Sequence, residues 1–589
     1  MKKLVKIAVS ATAVLCAASI TAQQPAAIID YGARRHATVD AAGMVAVQNA
    51  IAAEVGAAVL ADGGNAVDAA VAVGMTLAVT LPRAGNIGGG GFMMVYLAEE
   101  DRTVAIDYRE AAPMAAGRDV FLDENGDVDN QLARFSYRSA GVPGTVAGMH
   151  HALTRYGTMS WDEALAPAIA VAEQGMRVSP DLATALSRRQ QWLGRDPATL
   201  KTFYKEGGES YAPGEVLRQP ELAETLRRIA KDGPDAFYKG PIADLIVAAM
   251  ADNDGLITHE DLARYRAVER DPVVGSYRGL EIVSMPPPSS GGVLLVQMLN
   301  VLERFDIAES GFGSARTIHL MTEAMRQAYA DRSRHLGDPD YWEAPIAWLA
   351  DKRYAATIAE AIDPDAARDS REVLPGVDPG YESPDTTHYG VMDAAGNAVV
   401  NTYTLNFSYG SGITIPGAGF LLNNEMDDFS AKPGAPNGYG LLGGDANAIE
   451  PGKRPLSSMT PTFVFKDGKP WIATGSPGGS RIITTVLQVI VNVVDHGMSP
   501  ADAVAAPRFH HQWLPDRLFL EAGFSPDTVS LLRNLGHDVD ERRRTMGSAQ
   551  TVVWDGTWFR GAADPRRPDA AAIGPSLLDC RAAEVACAH

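Results

Sequence analysis

The sequence predicts a layered α/β fold with antiparallel sheets. Short β-patterned runs occur in pairs that are joined by tight turns, which is typical of antiparallel hairpins. Helical runs precede and follow these pairs, so helices are expected to cover the sheets. The 589 residues are 46% hydrophobic and 21% charged. That composition indicates a globular chain with a large buried core.

The charge of the chain limits its partners. The formal net charge is −20, which argues against a nucleic-acid or anionic-membrane partner because no basic face offsets it. The acidic residues are scattered along the chain, so we do not expect a disordered acidic tail. Beyond the N-terminus, no segment is long and apolar enough to span a bilayer.

The first 22 residues have the pattern of a secretory signal peptide. Three lysines precede an apolar run at 7–20, and the small residue Ala22 follows it. We predict cleavage after Ala22 and export to the periplasm or the exterior. A lipid anchor at Cys16 is the disfavoured alternative, because a bulky leucine precedes that cysteine. After export, Cys580 and Cys587 could close a small terminal loop, and the sequence leaves that pairing open.

The first elements of the chain are two helices followed by a strand pair. Helical spacing covers 47–60 and, after an asparagine cap, 66–77. Paired strands are expected at 92–97 and 103–108. The glycine run 88–91 resembles a phosphate-binding loop, but no Gly-Lys-Ser/Thr follows it and a strand comes next. We therefore expect no nucleotide site there.

The middle of the chain is mainly helical. Helices dominate 141–250, strands are expected within 272–284, and helices follow at 293–302 and 315–335. The stretch 364–385 is polar and contains proline and glycine but few apolar residues. It is the clearest linker in the chain.

The last third of the chain returns to strands. Two β-patterned runs around a Gly-Asn turn predict a hairpin. A strand is expected at 419–424, and a strand pair then leads into a further helix. The pattern assigns the hairpin to 387–393 and 398–405, a loop to 432–444, the strand pair to 462–466 and 471–475, and the helix to 482–494.

Thr386 stands where the linker meets the hairpin. Its hydroxyl could attack the carbonyl carbon of Asp385 and convert that amide to an ester, which water would hydrolyse. The freed α-amine would titrate at about pH 8 and could act as the base for the same hydroxyl. Thr386 is therefore a candidate self-processing nucleophile. The alternative is that it only opens an exposed strand, since threonine favours strands.

Other residues could complete a site around this nucleophile. Gly478 and Gly479 stand between a strand and a helix, where backbone N–H groups can face an oxyanion, although a simple tight turn explains them as well. Thr404 and Asn406 share one face of the hairpin's return strand. His388 is interpreted as structural, because an N-terminal threonine already carries its base.

No metal or cofactor is expected. The pair His510-His511 lacks the carboxylate spacing of a metalloprotease helix and is interpreted as structural. Taken alone, Arg109 could be a solvated strand end, Ser457 and Ser458 an ordinary loop, and the acidic stretch 425–428 an ordinary turn.

Seven motifs along the chain resemble those of one enzyme family, the γ-glutamyltranspeptidases or glutathione hydrolases. The resemblance runs in order from about residue 45 to about 567. The motifs lie at 65–70 (NAVDAA), 84–92 (AGNIGGGGF), 108–110 (YRE), 386–388 (TTH), 422–429 (LNNEMDDF), 454–459 (RPLSSM) and 475–480 (GSPGGS).

The resemblance implies an N-terminal-nucleophile hydrolase with a four-layer αββα sandwich. Thr386 would be the nucleophile, supported by Thr404, and the N–H groups of Gly478 and Gly479 would form the oxyanion hole. The substrate α-carboxylate and α-ammonium would be bound by a second set of residues, and a loop would cover the pocket. The resemblance assigns binding of the α-carboxylate to Arg109, Ser457 and Ser458, with Gly479 also in contact with substrate. It assigns binding of the α-ammonium to Asn406, Glu425 and Asp428, with Thr404 nearby. The residue of the loop that covers the pocket is Tyr439.

Two details refine this assignment. Position 425 is Glu here, where some bacterial members of the family have Gln, so the pocket gains negative charge near the substrate amine. Related cephalosporin acylases tend to lack the lid, so the loop around Tyr439 favours γ-glutamyl substrates.

The resemblance also implies an activity. The chain would cut itself between Asp385 and Thr386 into fragments 23–385 and 386–589, which would stay together as a heterodimer. The enzyme would pass the γ-glutamyl group of glutathione or a related amide to water, an amino acid or a dipeptide. The alternatives are a cephalosporin (glutaryl) acylase of the same fold and, remotely, a non-catalytic exported binding protein.

Overall fold

The structure is a computed structural model that describes residues 36–374, 386–540, 542 and 544–578. The expected signal peptide, the second half of the predicted linker including Asp385, and Cys580 and Cys587 lie outside these residues. Within the described part of the chain, no helix is long and apolar enough to cross a membrane.

The strands cluster near the beginning, around residue 280, and in the last third of the chain. They are β1 (Thr38–Asp40), β2 (Gly43–Val47), β3 (Gly90–Leu97), β4 (Arg102–Tyr108), β5 (Met176–Arg177), β6 (Val216–Leu217), β7 (Val268–Arg270), β8 (Val273–Tyr277), β9 (Leu280–Ser284), β10 (Thr387–Asp393), β11 (Ala398–Thr404), β12 (Thr462–Lys466), β13 (Lys469–Gly475), β14 (Phe509–His510), β15 (Leu518–Leu520), β16 (Val539–Asp540), β17 (Gln550–Trp554), β18 (Phe559–Ala563) and β19 (Ala571–Ile573).

The helices fill most of the intervals. They are α1 (Ala50–Ala61), α2 (Ala66–Thr80), α3 (Asn130–Phe135), α4 (Thr145–Tyr156), α5 (Trp161–Gln174), α6 (Pro180–Leu193), α7 (Pro197–Phe203), α8 (Pro220–Asp232), α9 (Asp235–Tyr238), α10 (Pro241–Asp252), α11 (His259–Arg264), α12 (Gly291–Leu302), α13 (Ile307–Ser310), α14 (Ala315–His335), α15 (Ile346–Leu349), α16 (Lys352–Glu360), α17 (Ser370–Val373), α18 (Arg481–Val494), α19 (Pro500–Ala505) and α20 (Pro526–Asn534).

Two antiparallel seven-stranded sheets form the centre of the molecule. The first has the order β19-β2-β10-β11-β3-β4-β7 and the second the order β1-β18-β17-β13-β12-β9-β8. They pack face to face, with β10 and β11 of the first sheet against β13 of the second. Each sheet mixes strands from both sides of Thr386, so the predicted fragments would share both sheets.

Three apolar layers define the sandwich. One layer lies between the sheets and includes Phe92, Phe463 and Val552. A second joins α1, α2, α4 and α5 to the outer face of the first sheet. A third joins α12, α14 and α18 to the outer face of the second sheet. The order helix, sheet, sheet, helix confirms the predicted four-layer αββα fold.

Local signals placed most boundaries correctly. The hairpin, β12, α14 and the asparagine-capped α2 occur where the sequence predicts them. The helix predicted from residue 47 begins instead at Ala50, because Val47 ends β2 and the side chain of Asn49 caps the helix by accepting from the Ala52 N–H.

The strand predicted at 419–424 is wrong. Gly419 has a φ of +73°, and the segment makes one isolated bridge, between Thr414 and Leu421. The side chain of Asn423 donates to the carbonyls of Gly88 and Gly141, each at 2.8 Å. The backbone makes scattered hydrogen bonds as well, such as that from the Leu422 N–H to the carbonyl of Ile413, but no regular strand ladder.

Candidate active site

The predicted nucleophile directly precedes β10, an inner strand of the first sheet. β10 and β11 pair in a register that sets Thr387 opposite Tyr403, so one further step sets Thr386 opposite Thr404. Thr386 is 5% exposed. Both threonines line the same small cavity. The hairpin thus brings the candidate nucleophile and its expected supporting residue together across one pair of strands.

Nearly every residue predicted to belong to the site lines this cavity. Its free volume is about 20 Å³, enough for about one water molecule. Gly478 is the one assigned residue that does not line it. The lining includes Arg109, Thr386, Thr404, Asn406, Glu425, Asp428, Tyr439, Ser457, Ser458 and Gly479.

Arg109 is the central cation of the pocket. It follows β4, is fully buried, and donates from Nε to the carbonyl of Pro455 at 3.2 Å. Its Nη1 pairs with Glu425, and its Nη2 lies 2.5 Å from Asp428 Oδ2. Burial alone would lower the pKa of Arg109, but the two carboxylates outweigh burial and raise it. The guanidinium is therefore charged, and it is paired with the acids expected to bind the substrate ammonium.

The acids come from one short 3-10 helix, Glu425–Asp428. The N–H of Glu425 donates to the side chain of Asn423 at 3.0 Å, which anchors the start of this turn. Burial raises the pKa of Glu425 well above its ordinary value, although Arg109 opposes that shift. The same motif therefore supplies two carboxylates at different depths, with Asp428 the more exposed of the two.

Asn406 presents a spare acceptor to the cavity. Its backbone has a φ of +75°, a conformation that asparagine tolerates better than most residues. Its N–H donates to Thr404 Oγ1 at 2.9 Å, and its Nδ2 donates to the carbonyl of Asn424. Among the described residues, its buried Oδ1 has no hydrogen-bond partner. An ammonium group in the cavity would satisfy that oxygen.

The loop between β9 and α12 supports Ser457 and Ser458. Ser290 donates to the carbonyl of Ser457 from its N–H at 2.9 Å and from its hydroxyl at 2.7 Å. Arg332 of α14 donates from Nε to Ser290 Oγ at 2.9 Å and lies 3.5 Å from Ser458 Oγ. Sequence reasoning missed Arg332, because an arginine within a long helix carries no local signal of a pocket.

The two glycines have the conformations that an oxyanion hole between β13 and α18 would need. Gly478 has a φ of +138° and Gly479 a φ of +56°. In the left-handed region glycine is favoured over residues with a Cβ. A Cβ at Gly479 would also collide with the ring of Tyr439. Local strain and the close approach of the lid therefore both require glycine at position 479.

Tyr439 closes the pocket. It is 5% exposed, its hydroxyl donates to the carbonyl of Asn406, and its ring packs edge-on against Phe407 at 5.4 Å. The loop that carries Tyr439 is hydrogen-bonded to the 3-10 turn of the acids, because Nδ2 of Asn437 donates to Asp428 Oδ1 at 3.2 Å. The lid is therefore coupled to the residues expected to bind substrate.

His388 lies away from the cavity. It is fully buried between the sheets against Gly475, and its Nδ1 is 2.8 Å from Thr402 Oγ1. Burial lowers the pKa of His388 to about 3. A neutral, enclosed ring of this kind is consistent with the structural interpretation of this histidine.

Four other buried histidines, His319, His510, His511 and His537, are hydrogen-bonded within the fold. His510 lies 2.8 Å from Thr484 Oγ1, and His511 lies 3.1 Å from Asp516. Elsewhere in the described part of the chain, His319, Glu323 and His537 are close enough to hold a metal ion. Glu323 is already paired with Arg326 and Arg368, and the two histidines are hydrogen-bonded to each other at 2.8 Å. These contacts explain the cluster without an ion.

Comparisons with known proteins place the chain in a family. The family model described as Gamma-glutamyltranspeptidase matches residues 52–574. A glutathione hydrolase proenzyme of Escherichia coli K12 is 52% identical over 94% of this chain and 95% of its own length. The structure of a Helicobacter pylori gamma-glutamyltranspeptidase is 46% identical, with a TM-score of 0.55 over 56% of this chain and 93% of that chain.

A more distant structure shares the whole fold. The cephalosporin acylase from Bacillus halodurans has a TM-score of 0.81 over 93% of this chain and 98% of its own, but only 27% identity. The higher identity to the glutathione hydrolase proenzyme agrees with the predicted preference between the two activities. The chain belongs to the gamma-glutamyltranspeptidase family and is an enzyme of that class.

Proposed function

We propose that Thr386 is both the residue that cuts the precursor and the nucleophile of the mature enzyme. Cleavage between Asp385 and Thr386 would leave fragments 23–385 and 386–589 as a heterodimer. The position of Thr386 supports this proposal, because it precedes a central strand and faces the cavity that also contains Arg109. A free α-amine at that position would sit beside the attacking hydroxyl.

The pocket recognises a zwitterion by exchanging ion pairs. The substrate α-carboxylate takes the place of Glu425 and Asp428 on Arg109, with Ser457 and Ser458 as further donors. The released acids then bind the α-ammonium together with Asn406. The observation that carries this proposal is that Arg109, Glu425 and Asp428 are already paired in one small cavity. A zwitterion brings no net charge, so the exchange preserves the charge of the site.

The reaction then runs as an acyl transfer in two stages. Thr386 Oγ attacks the γ-carbonyl carbon while the α-amine takes the hydroxyl proton. The N–H groups of Gly478 and Gly479 stabilise the oxyanion. Collapse breaks the amide bond, the α-ammonium returns its proton to the leaving amine, and a γ-glutamyl ester remains on Thr386. Water, an amino acid or a dipeptide attacks that ester in the same way and restores the threonine.

Glutathione and related γ-glutamyl amides are the proposed donors, and the proposed site of action is outside the cytoplasm. The closed lid is the observation that favours these donors over a bulky glutaryl-cephalosporin. Tyr439 is hydrogen-bonded to the carbonyl of Asn406 over the cavity, so the lid would limit the room for a bulky leaving group such as a cephalosporin nucleus. Turnover of a γ-glutamyl anilide and of a glutaryl-cephalosporin by the same preparation distinguishes the two activities.

Intact-mass spectrometry of the purified protein and of Thr386→Ala tests the proposal. The wild-type protein should give two fragments, the smaller beginning at Thr386, and should hydrolyse a γ-glutamyl anilide. Thr386→Ala should remain one chain without turnover. Thr387→Ala is the matched control, because its buried hydroxyl has no partner among the described residues, and it should still be cut. Normal fragments from Thr386→Ala would refute the assignment, and an uncut, inactive wild-type chain would favour a binding protein.

A further inference from the structure

A buried glutamine reaches the lid loop, residues 432–444, from inside the fold. Gln512 is 2% exposed and does not line the substrate cavity. Its Nε2 donates to the carbonyls of Tyr439 and Gly440 and to the carbonyl of Leu514, each at 3.3 Å. One NH2 group, which has two hydrogens, is therefore shared among three backbone oxygens. Two of these oxygens belong to the lid loop.

The orientation of this amide is fixed by its surroundings. Three carbonyl oxygens can only accept hydrogen bonds, so the NH2 group of Gln512 must be the group that faces them. Its Oε1 then faces Nε2 of His510 at 2.9 Å, and Nδ1 of His510 lies 2.8 Å from Thr484 Oγ1. Burial lowers the pKa of His510 well below its ordinary value, so the ring is neutral and has one N–H. That N–H donates to Gln512, which leaves the amide one orientation.

The loop that carries Gln512 is anchored by both expected fragments. The next residue, Trp513, has a φ of +68°, which is rare for a bulky side chain and persists only where the surroundings enforce it. Its Nε1 donates to the carbonyl of Ser370 at 2.8 Å, and the N–H of Ser370 donates to Asp516 Oδ2 at 2.8 Å. Ser370 precedes the predicted cleavage position and Trp513 follows it. Gln512 therefore stands on a support that holds it in place.

Tyr439 is held at both of its ends. Its hydroxyl donates to the carbonyl of Asn406, and its own carbonyl accepts from Gln512. Between these two bonds its ring lies over Gly479, where an added Cβ would be 2.4 Å from the ring. The hydroxyl bond alone would leave the backbone of Tyr439 free to turn away from the pocket. The bond from Gln512 fixes that backbone.

We propose that Gln512 is a positioning residue for γ-glutamyl transfer, which holds the backbone of Tyr439 and Gly440 so that the ring of Tyr439 closes the substrate pocket. Because Gln512 does not line the cavity, it acts through the lid and not on the substrate. The inference rests on the proposed function only in taking Tyr439 as the lid of a γ-glutamyl pocket.

Gln512→Glu is the informative variant because it keeps the shape of the side chain. Whether ionised or not, a glutamate offers at most one hydrogen to the three carbonyls, where glutamine offers two. We expect the lid to open more often, and proteolysis reports the population of the open form. In the processed enzyme without substrate, chymotrypsin should cut after Tyr439, which is 5% exposed in the closed lid, about tenfold faster than in the wild type.

Cleavage after Tyr341 is the internal reference for this measurement, since that tyrosine is 42% exposed and lies outside the lid loop. Mass spectrometry of the peptides separates the two cuts. Equal protection of Tyr439 in the wild type and in Gln512→Glu would overturn the proposal. Gln512→Met, which keeps the length of the side chain but offers no hydrogen, is the second variant. It should give the same result and decides the question if the glutamate variant does not fold.

Steady-state kinetics distinguish a positioning role from a purely structural one. A lid that is closed for a smaller fraction of the time lowers the apparent affinity by that fraction. The KM for a γ-glutamyl anilide should therefore rise about tenfold in both variants, while kcat changes by less than about twofold. A lower thermal stability together with an unchanged KM would mean that Gln512 only supports the fold, and the proposal would be wrong.

Gln191→Glu is the matched control. It makes the same substitution at an exposed glutamine of α6 and should leave lid protection and KM at their wild-type values. The two levels of inference fail separately, because lid protection is measured without substrate. A lid that stays protected in Gln512→Glu, with normal γ-glutamyl turnover, would refute this inference alone. A lid that opens in Gln512→Glu, in an enzyme whose wild type has no γ-glutamyl turnover, would refute the proposed function alone.

Discussion

Two buried ion clusters in this protein differ in their balance of charge. The pocket cluster consists of Arg109, Glu110, Glu425 and Asp428 and has one cation for three acids. The C-terminal cluster consists of Arg508, Glu521, Asp564 and Arg566 and has two of each. Both are almost completely buried, so solvent does not explain the contrast.

The partners of the carboxylates differ in the same way. In the C-terminal cluster, every oxygen of Glu521 and Asp564 accepts a hydrogen bond, including bonds from the N–H groups of Arg508, Met546 and Ala549. In the pocket cluster, three carboxylate oxygens have no partner among the described residues. Carboxylate oxygens that already accept hydrogen bonds have little capacity left for a ligand, whereas oxygens without a partner can accept a hydrogen bond from one.

The pKa values follow this difference. Burial would raise the pKa of Asp564, but Arg508 and Arg566 outweigh it and hold that pKa below its ordinary value. For Glu110 burial prevails, because Arg109 is shared among three acids. The comparison teaches that burial alone does not identify a functional charge. The ratio of acids to bases and the unpaired oxygens do so.

The largest expected effect on stability belongs to the balanced cluster. Arg566→Ala leaves Glu521 and Asp564 without one of their two cations and should lower the free energy of unfolding by about 3–5 kcal/mol. Chemical denaturation of the processed enzyme measures this change. Arg560→Ala, which removes a cation from an exposed pair with Asp555, is the control and should cost about 0–1 kcal/mol. Equal losses in the two variants would mean that the C-terminal cluster is not a structural support.

Arg109→Ala should act mainly on binding. The substrate carboxylate loses its partner in a buried site, which should cost about 2–5 kcal/mol and appear as a raised KM. Stability should change less than in Arg566→Ala, because the acids left behind can take up protons. Steady-state kinetics and denaturation of the same preparation provide both values. An unchanged KM would show that Arg109 does not bind the substrate, and the proposed functional difference between the two clusters would then be wrong.

The smallest effect is expected at the lid. Tyr439→Phe removes the hydrogen bond to the carbonyl of Asn406 but keeps the ring that packs on Phe407. We expect kcat/KM for γ-glutamyl substrates to fall by an amount that corresponds to a loss of about 0.5–1.5 kcal/mol of transition-state stabilisation. Tyr341→Phe, at an exposed tyrosine, should leave kcat/KM unchanged. A lid variant as active as the wild type would show that closure does not depend on this bond.

Much of the fold was predictable because its signals are local. The Gly-Asn turn and its alternating flanks specified the hairpin, and the asparagine cap placed the beginning of α2. The error at 419–424 has a local cause too. An apolar run resembles a strand whether or not a regular partner strand is available, and here the backbone makes only scattered hydrogen bonds, such as that from Leu422 to Ile413.

The sequence by itself determined the candidate nucleophile, the oxyanion glycines and the charged motifs, because seven motifs in order resemble those of one family. Taken singly, each of these patterns had an ordinary explanation. Only the tertiary structure decided how these motifs meet. Arg109 and Glu425 are 316 positions apart in the chain, and no local pattern shows that Arg332 supports the serine loop or that Gly90 and Gly141 enclose Glu110. Burial and unpaired oxygens depend on which distant residues pack together, and that is set by the packing of the two sheets.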